Sequence, residues 1–177
     1  MPRSLALSLD APVAVEEILA AFADEDYWQA RLAAFDSGTA TLNGLTVGPD
    51  GSVTAALTVS LFSNRLPRVV AALAPGDLEM ARTERWYPVS DGHARGTIDV
   101  SVPGAPVSAV GKVSLVPVGT GARLDFTTTV QVNIPLVGGQ VENFIVGRLG
   151  DEISAVQRFT NTWIVANRAG PSEILDP

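Results

Sequence analysis

The sequence predicts an α+β fold in which a curved antiparallel sheet wraps a long C-terminal helix. Three features carry this expectation: a strand-like alternation at the start, six further strand patterns joined mostly by tight turns, and a helical stretch over 138–167. Strands that are wet on one face need an apolar cover on the other. Only the last helix, about 45 Å long at 1.5 Å per residue, is long enough to supply it.

Leu5, Leu7 and Leu9 alternate with Ser4, Ala6 and Ser8, the period of a half-buried strand. Asp10 is expected to cap a first helix, Pro12 suits its first turn, and Val15, Ile18, Leu19 and Phe22 share one helical face. DEDYWQARLAAF then sets acidic residues at the positive end of a helix dipole and Trp28, Leu32 and Phe35 at helical spacing. From Ser37 the texture becomes β. TATLNGLTV and SVTAALTVSLF flank the turn Gly48-Pro49-Asp50-Gly51 as a hairpin, with Val53, Ala55, Leu57, Val59 and Leu61 on one face. Arg68 to Leu73 makes a brief helical or irregular crossing, and LEMARTERWY resumes the strand pattern. Asp91-Gly92 turns the chain into HARGTIDVSV, and Gly119-Thr120-Gly121 joins VSAVGKVSLVPV to ARLDFTTTVQVNI. In that last strand Leu124, Phe126, Val130, Val132 and Ile134 share a face on which Thr128 is the one polar residue.

Composition narrows the function classes. At 177 residues and 46% hydrophobic, the chain can bury one substantial core, so a single domain is expected over 1–170 with a frayed tail at 171–177. Its net charge is −7 and its basic residues are scattered singly, which argues against nucleic acid or an anionic membrane as partner. There is no cysteine and one histidine, His93, so disulfides, thiolate nucleophiles and multi-histidine metal sites are excluded, and no metal or cofactor is expected. His93 follows a turn signal, where an exposed side chain is the default. The apolar part of MPRSLALSLD is too short for a secretory leader, and no run is long enough to span a membrane. A soluble, cytoplasmic protein with no membrane insertion is expected, its state left open between monomer and homodimer.

The element order, with LSLDAPVAVEEILAAFADEDYW at the start and GGQVENFIVGRLGDEISAVQRFTNTW at the end, resembles the START-like helix-grip superfamily, which includes plant pollen-allergen-type proteins and polyketide cyclases. Within it the chain resembles an uncharacterised actinobacterial START-like family of unknown function. The resemblance implies a seven-stranded antiparallel sheet gripping the terminal helix, with an apolar cavity between them that often holds a lipid, sterol, polyketide or similar molecule. The same fold serves enzymes and regulators, so the chemistry must come from individual residues.

On a helical wheel Val141, Ile145, Leu149, Ile153, Val156, Phe159 and Trp163 form one face, expected to point into the sheet. Such a face can line a ligand cavity or fill a core. Glu152 falls on that face, four residues after Arg148, so the two are expected to pair at its rim or to reach the polar end of a ligand. Glu142 is assigned to the dipole of the first turn. Gly147 and Gly150, weakening the helix in its middle, are expected to permit a bend or a close backbone approach. In MARTERWY one register turns Arg82, Glu84 and Trp86 inward and the other turns Arg85; the first buries the indole and is favoured. The candidate ligand-binding set is Arg82, Glu84, Trp86, Ile98, Phe126, Ile145, Arg148, Leu149, Glu152 and Ile153. The leading reading is a carrier of a small hydrophobic molecule. Its rivals are a cyclase or dehydratase using Glu84 or Glu152 as acid or base, and a protein-interaction domain with a collapsed cavity.

Overall fold

The Leu5-Leu7-Leu9 alternation becomes β1 (Arg3–Ala11), which lies beside β7 (Gly121–Val132) in a computed structural model that describes residues 2–35, 39–61, 68–73 and 76–168. The expected tail at 171–177 lies outside the described residues. Between these strands come α1 (Val15–Phe22), α2 (Glu25–Phe35), β2 (Ala40–Val47), β3 (Val53–Leu61), α3 (Arg68–Leu73), β4 (Leu78–Pro88), β5 (Ala94–Ser101) and β6 (Val107–Val118), and α4 (Gly138–Asn167) closes the order. The seven strands form one antiparallel sheet in the order β1-β7-β6-β5-β4-β3-β2. The sheet curves around α4, as the sequence leads one to expect. No described helix is long and apolar enough to cross a membrane.

Local chemistry accounts for most of the joints. Asp24 Oδ1 accepts the Asp26 N–H at 2.9 Å and caps α2. Asp91 and Gly92 both take positive φ, the primed geometry that matches the twist of a hairpin, between β4 and β5. The cap of α1 differs from expectation. Glu17 reaches back to accept the Ala14 N–H at 2.9 Å, whereas Asp10 stays within β1 and pairs with Arg123 across the ladder at 3.2 Å. The strand takes in Asp10 and Ala11, and α1 begins only at Val15, with Ala14 at its cap position.

Cross-strand register sorts the concave face into rows. Leu7, Phe126, Val113, Gly96, Trp86 and Val53 face one another across six strands, and the next row is Leu5, Thr128, Gly111, Ile98, Glu84 and Ala55. Gly96 is required here, because a Cβ would come within 2.5 Å of the Trp86 ring lying over it. Thr128, the polar residue on the apolar face, is satisfied by donating to the Val110 carbonyl at 3.2 Å. Along β7 burial alternates as predicted through Val132, and Ile134 lies just past the strand, half-buried.

The terminal helix departs from its predicted wheel. Its buried residues are Gly138, Val141, Glu142, Gln157, Thr160 and Ile164, while Ile145, Leu149, Ile153, Val156, Phe159 and Trp163 are half-buried. The buried arc is rotated by roughly half of one 100° residue step, because α4 packs on β1 and β7 and, in its second half, also against α1 and α2. That rotation turns Gln157, expected on the outer side, inward and leaves Glu152, expected on the apolar face, exposed along with Arg148. A Cβ at Gly147 or Gly150 would meet nothing within 4 Å, so neither glycine serves a close approach. The close approach is at Gly138, where a Cβ would strike the Val132 carbonyl oxygen.

Candidate functional site

The site grows from two short stretches. In α2, residues one turn apart project to the same side, which sends Tyr27, Trp28, Arg31 and Leu32 into the interior. In β4 the pleat sends Arg82, Glu84 and Trp86 to the concave face, the register favoured from sequence, with Glu84 and Trp86 buried. Trp86 packs on Phe22 with ring centroids 4.6 Å apart, and Tyr27 sits edge-on to both Trp28 and Trp163.

These elements enclose an ionic cluster. Glu84, 1% exposed, accepts from Arg31 Nη2 at 3.0 Å and lies 2.5 Å from Arg82 Nη2, and its second oxygen accepts the Trp86 Nε1–H at 3.3 Å. Arg31 also stacks over the Trp28 ring, its Cζ 4.8 Å from the centroid. Burial pushes the Glu84 carboxyl up, but the two guanidiniums and the hydrogen bonds outweigh it and hold it at about 2. Burial likewise opposes the charge on Arg31, and Glu84 more than compensates, leaving it raised. Tyr27 is raised chiefly by burial. Its hydroxyl lies 2.7 Å from Thr160 Oγ1, whose own proton goes to the Val156 carbonyl at 2.9 Å, so Tyr27 is the donor.

The interior beyond this cluster is divided. One apolar core gathers α1, α2 and one end of the sheet, with Ile98, Ile153, Phe159 and Trp163 packed against it. A smaller one holds Val130, Val132 and Val141, with Ala109, Ile145 and Leu149 against it. Between them, from residue 143 to 156, α4 has no fully buried residue. Two shallow surface grooves lie elsewhere, one at Leu7 and Phe126 across β1 and β7, the other at Pro12 and Val165 beside the end of α4.

Of the sequence-derived candidates, Arg82, Glu84 and Trp86 come together, Phe126 is buried in the same core as Trp86, and Ile98, Ile145, Leu149 and Ile153 are half-buried on facing elements. Arg148 stands apart on the exposed side of α4, its guanidinium stacked 4.4 Å over the Phe144 ring, and Glu152 is exposed as well. His93 is exposed in its turn. Sequence reasoning missed Arg31 and Thr160; Arg31 carried a usable signal, being spaced i, i+4 from Tyr27 on a short helix with Trp28 between them. Glu142, expected to gain from the dipole of the first turn, lies beyond that turn and is buried. Its Oε1 accepts the Val132 N–H at 2.9 Å, and its Oε2 is buried without a hydrogen-bond partner. Among the described residues no group of three His, Asp or Glu side chains could hold a metal ion.

Comparison with known proteins places this geometry. Residues 6–164 match the family described as "Protein of unknown function (DUF2505)", and the chain belongs to that family. It is 39% identical to the uncharacterized protein Rv0481c of Mycobacterium tuberculosis, over 94% of this chain and 99% of that one. Among solved structures it resembles TTHA0849 from Thermus thermophilus, with a TM-score of 0.59 at 13% identity over 94% of this chain and 100% of that one. It also resembles norcoclaurine synthase from Thalictrum flavum, with a TM-score of 0.54 at 14% identity over 93% and 87%. At such identities the structural likeness shows the START-like helix-grip fold and nothing further.

Proposed function

We propose that this member of the DUF2505 family carries a small hydrophobic molecule, such as a lipid or polyketide, between the concave face of the sheet and the middle of α4. The observation that supports this most is the fourteen-residue stretch of α4, 143–156, in which Ile145, Leu149, Ile153 and Val156 are none of them fully buried. Apolar residues on the inner side of a gripped helix ordinarily gain about 1.5–3 kcal/mol each by full burial. Here that gain is incomplete, and an apolar guest would complete it. The facing residues Ile98, Val100 and Ala109 on β5 and β6 are half-buried too. A guest lying there would join the two separate cores into one.

Glu84 as a general base suits this geometry poorly, because a carboxylate clamped by two arginines has little affinity for a proton. Its role in the proposal is to fix the two guanidiniums. The test is direct binding of Nile red, a neutral apolar dye, together with native mass spectrometry of protein purified from its own host. Saturable dye binding that is lost in Leu149→Trp, with the melting temperature held, supports carriage. A bare-chain mass together with no dye binding sinks it.

A further inference from the structure

The ionic cluster is unbalanced. Two guanidiniums, those of Arg31 and Arg82, face one carboxylate, that of Glu84. Arg31 is buried and directs its charge to Glu84 and to the Trp28 ring. Arg82 is different, since its side chain stays 28% exposed while its Nε–H is buried without a hydrogen-bond partner. A buried donor with no acceptor is costly, and one on a charged group more so.

The register fixes where this donor stands. Arg82 lies between Leu57 on β3 and Val100 on β5, one row beyond Glu84, and Val100 and its partner Ala109 on β6 are half-buried. The Arg82 guanidinium therefore sits beside the half-buried apolar residues of the concave face, its side chain partly open while its Nε–H is covered. A neutral guest would leave that charge uncompensated in an apolar surrounding. A cationic headgroup would be repelled by it, because Glu84 is already shared between two arginines. A headgroup with two negative charges would overshoot by one. The fork of a guanidinium matches the two oxygens of a carboxylate, and Nε–H is one arm of that fork.

We infer that the carried molecule is an amphipathic monoanion, a carboxylate on an apolar body, whose head accepts from Arg82 and whose body lies along Ile98, Leu149 and Ile153. This rests on the carrier reading above and adds the headgroup to it. Three chains of equal length, dodecanoate, dodecanol and dodecylamine, compete with Nile red on the whole protein at mildly alkaline pH, where the acid is ionised. Dodecanoate displaces the dye at concentrations lower than dodecanol by about tenfold or more, the scale of one hydrogen bond to a charged group, and dodecylamine is the weakest. Arg82→Gln abolishes the preference for the acid and leaves dodecanol unchanged, and Arg82→Lys keeps part of it. Equal displacement by acid and alcohol overturns the anionic headgroup while carriage stands. Failure of Nile red and all three chains to bind overturns carriage itself, and the inference with it. Should Arg82→Gln prove unfolded by circular dichroism, the comparison of headgroups on the native protein still decides.

Discussion

Arg31 on α2 and Glu84 on β4 meet at 3.0 Å, both buried, although 53 residues separate them in the chain. Their contact joins the helical layer to the sheet. Breaking such a pair from one side strands the other charge, which costs about 3–5 kcal/mol, whereas removing both at once costs far less. Arg31→Met should therefore be strongly destabilising in urea unfolding. Arg31→Met combined with Glu84→Leu should recover much of the loss, although Arg82 is then left without its carboxylate partner.

The same cluster sets the acid limb of stability. Glu84 titrates near 2 in the folded protein against an ordinary 4.5, so the folded state favours the ionised form. Its contribution, roughly 3 kcal/mol, is fully present above about pH 5 and is lost as pH falls from there toward 2. Glu17, held near 2 by its hydrogen bonds with Arg168 and with the Ala14 N–H, adds a second, more exposed group with the same sign. Urea midpoints measured from neutral pH downward should fall steeply in the native protein. In Glu84→Gln the fall should be shallower, with the Glu17 part remaining, and an unchanged slope would contradict this assignment.

Tyr27 and Thr160 give an asymmetric pair of substitutions. Because Tyr27 donates and Thr160 has a second partner in the Val156 carbonyl, Tyr27→Phe strands nothing at Thr160; with the loss of that bond and of the Arg31–Tyr27 contact, it should cost about 1 kcal/mol. Thr160→Val leaves a buried phenol without an acceptor and should cost more, about 1–3 kcal/mol. Equal losses in thermal melts would mean that the donor assignment is reversed.

Glycines in the two layers should respond with opposite signs. Gly147→Ala and Gly150→Ala place a methyl in open space on a helix and should stabilise by up to about 1 kcal/mol each. Gly96→Ala drives a methyl into the Trp86 ring, displaces the indole that donates to Glu84, and should destabilise by about 1–3 kcal/mol. Melting temperatures of the three variants distinguish these roles.

Glu142 offers a fifth check, near the start of α4. Glu142→Leu removes the acceptor of the Val132 N–H at the end of β7 and should cost about 1–3 kcal/mol, while Glu142→Gln retains an acceptor and should cost less. Hydrogen exchange at the Val132 amide reports the bond itself, and should accelerate in the leucine variant alone.

Much of the fold was legible because its signals are periodic and local. Alternation along β7, the Asp91-Gly92 turn and the helical spacing of Trp28 and Leu32 each follow from backbone geometry within a few residues. The inward register of β4 could be weighed as well, since an indole is the group a strand most gains by burying. Arg148 and Glu152 were misplaced for the opposite reason. A wheel finds the most apolar arc of a helix, but the buried arc of α4 is the one that α1, α2, β1 and β7 jointly cover, and no periodicity within α4 encodes where those neighbours lie.

The sequence by itself determined the strand and helix order, the curved sheet and the helix that fills it, because each depends on short-range pattern and on the need to cover an apolar face. Only the tertiary structure decided which charges are buried and with whom. Arg31 is a surface residue by its own preferences, and it enters the interior because Glu84, 53 positions away, offers a carboxylate at 3.0 Å that offsets the cost of leaving water. Pairings of that kind are properties of distance in space, and they turned a charged strand and a short helix into the cluster from which Arg82 is left with a donor to spare.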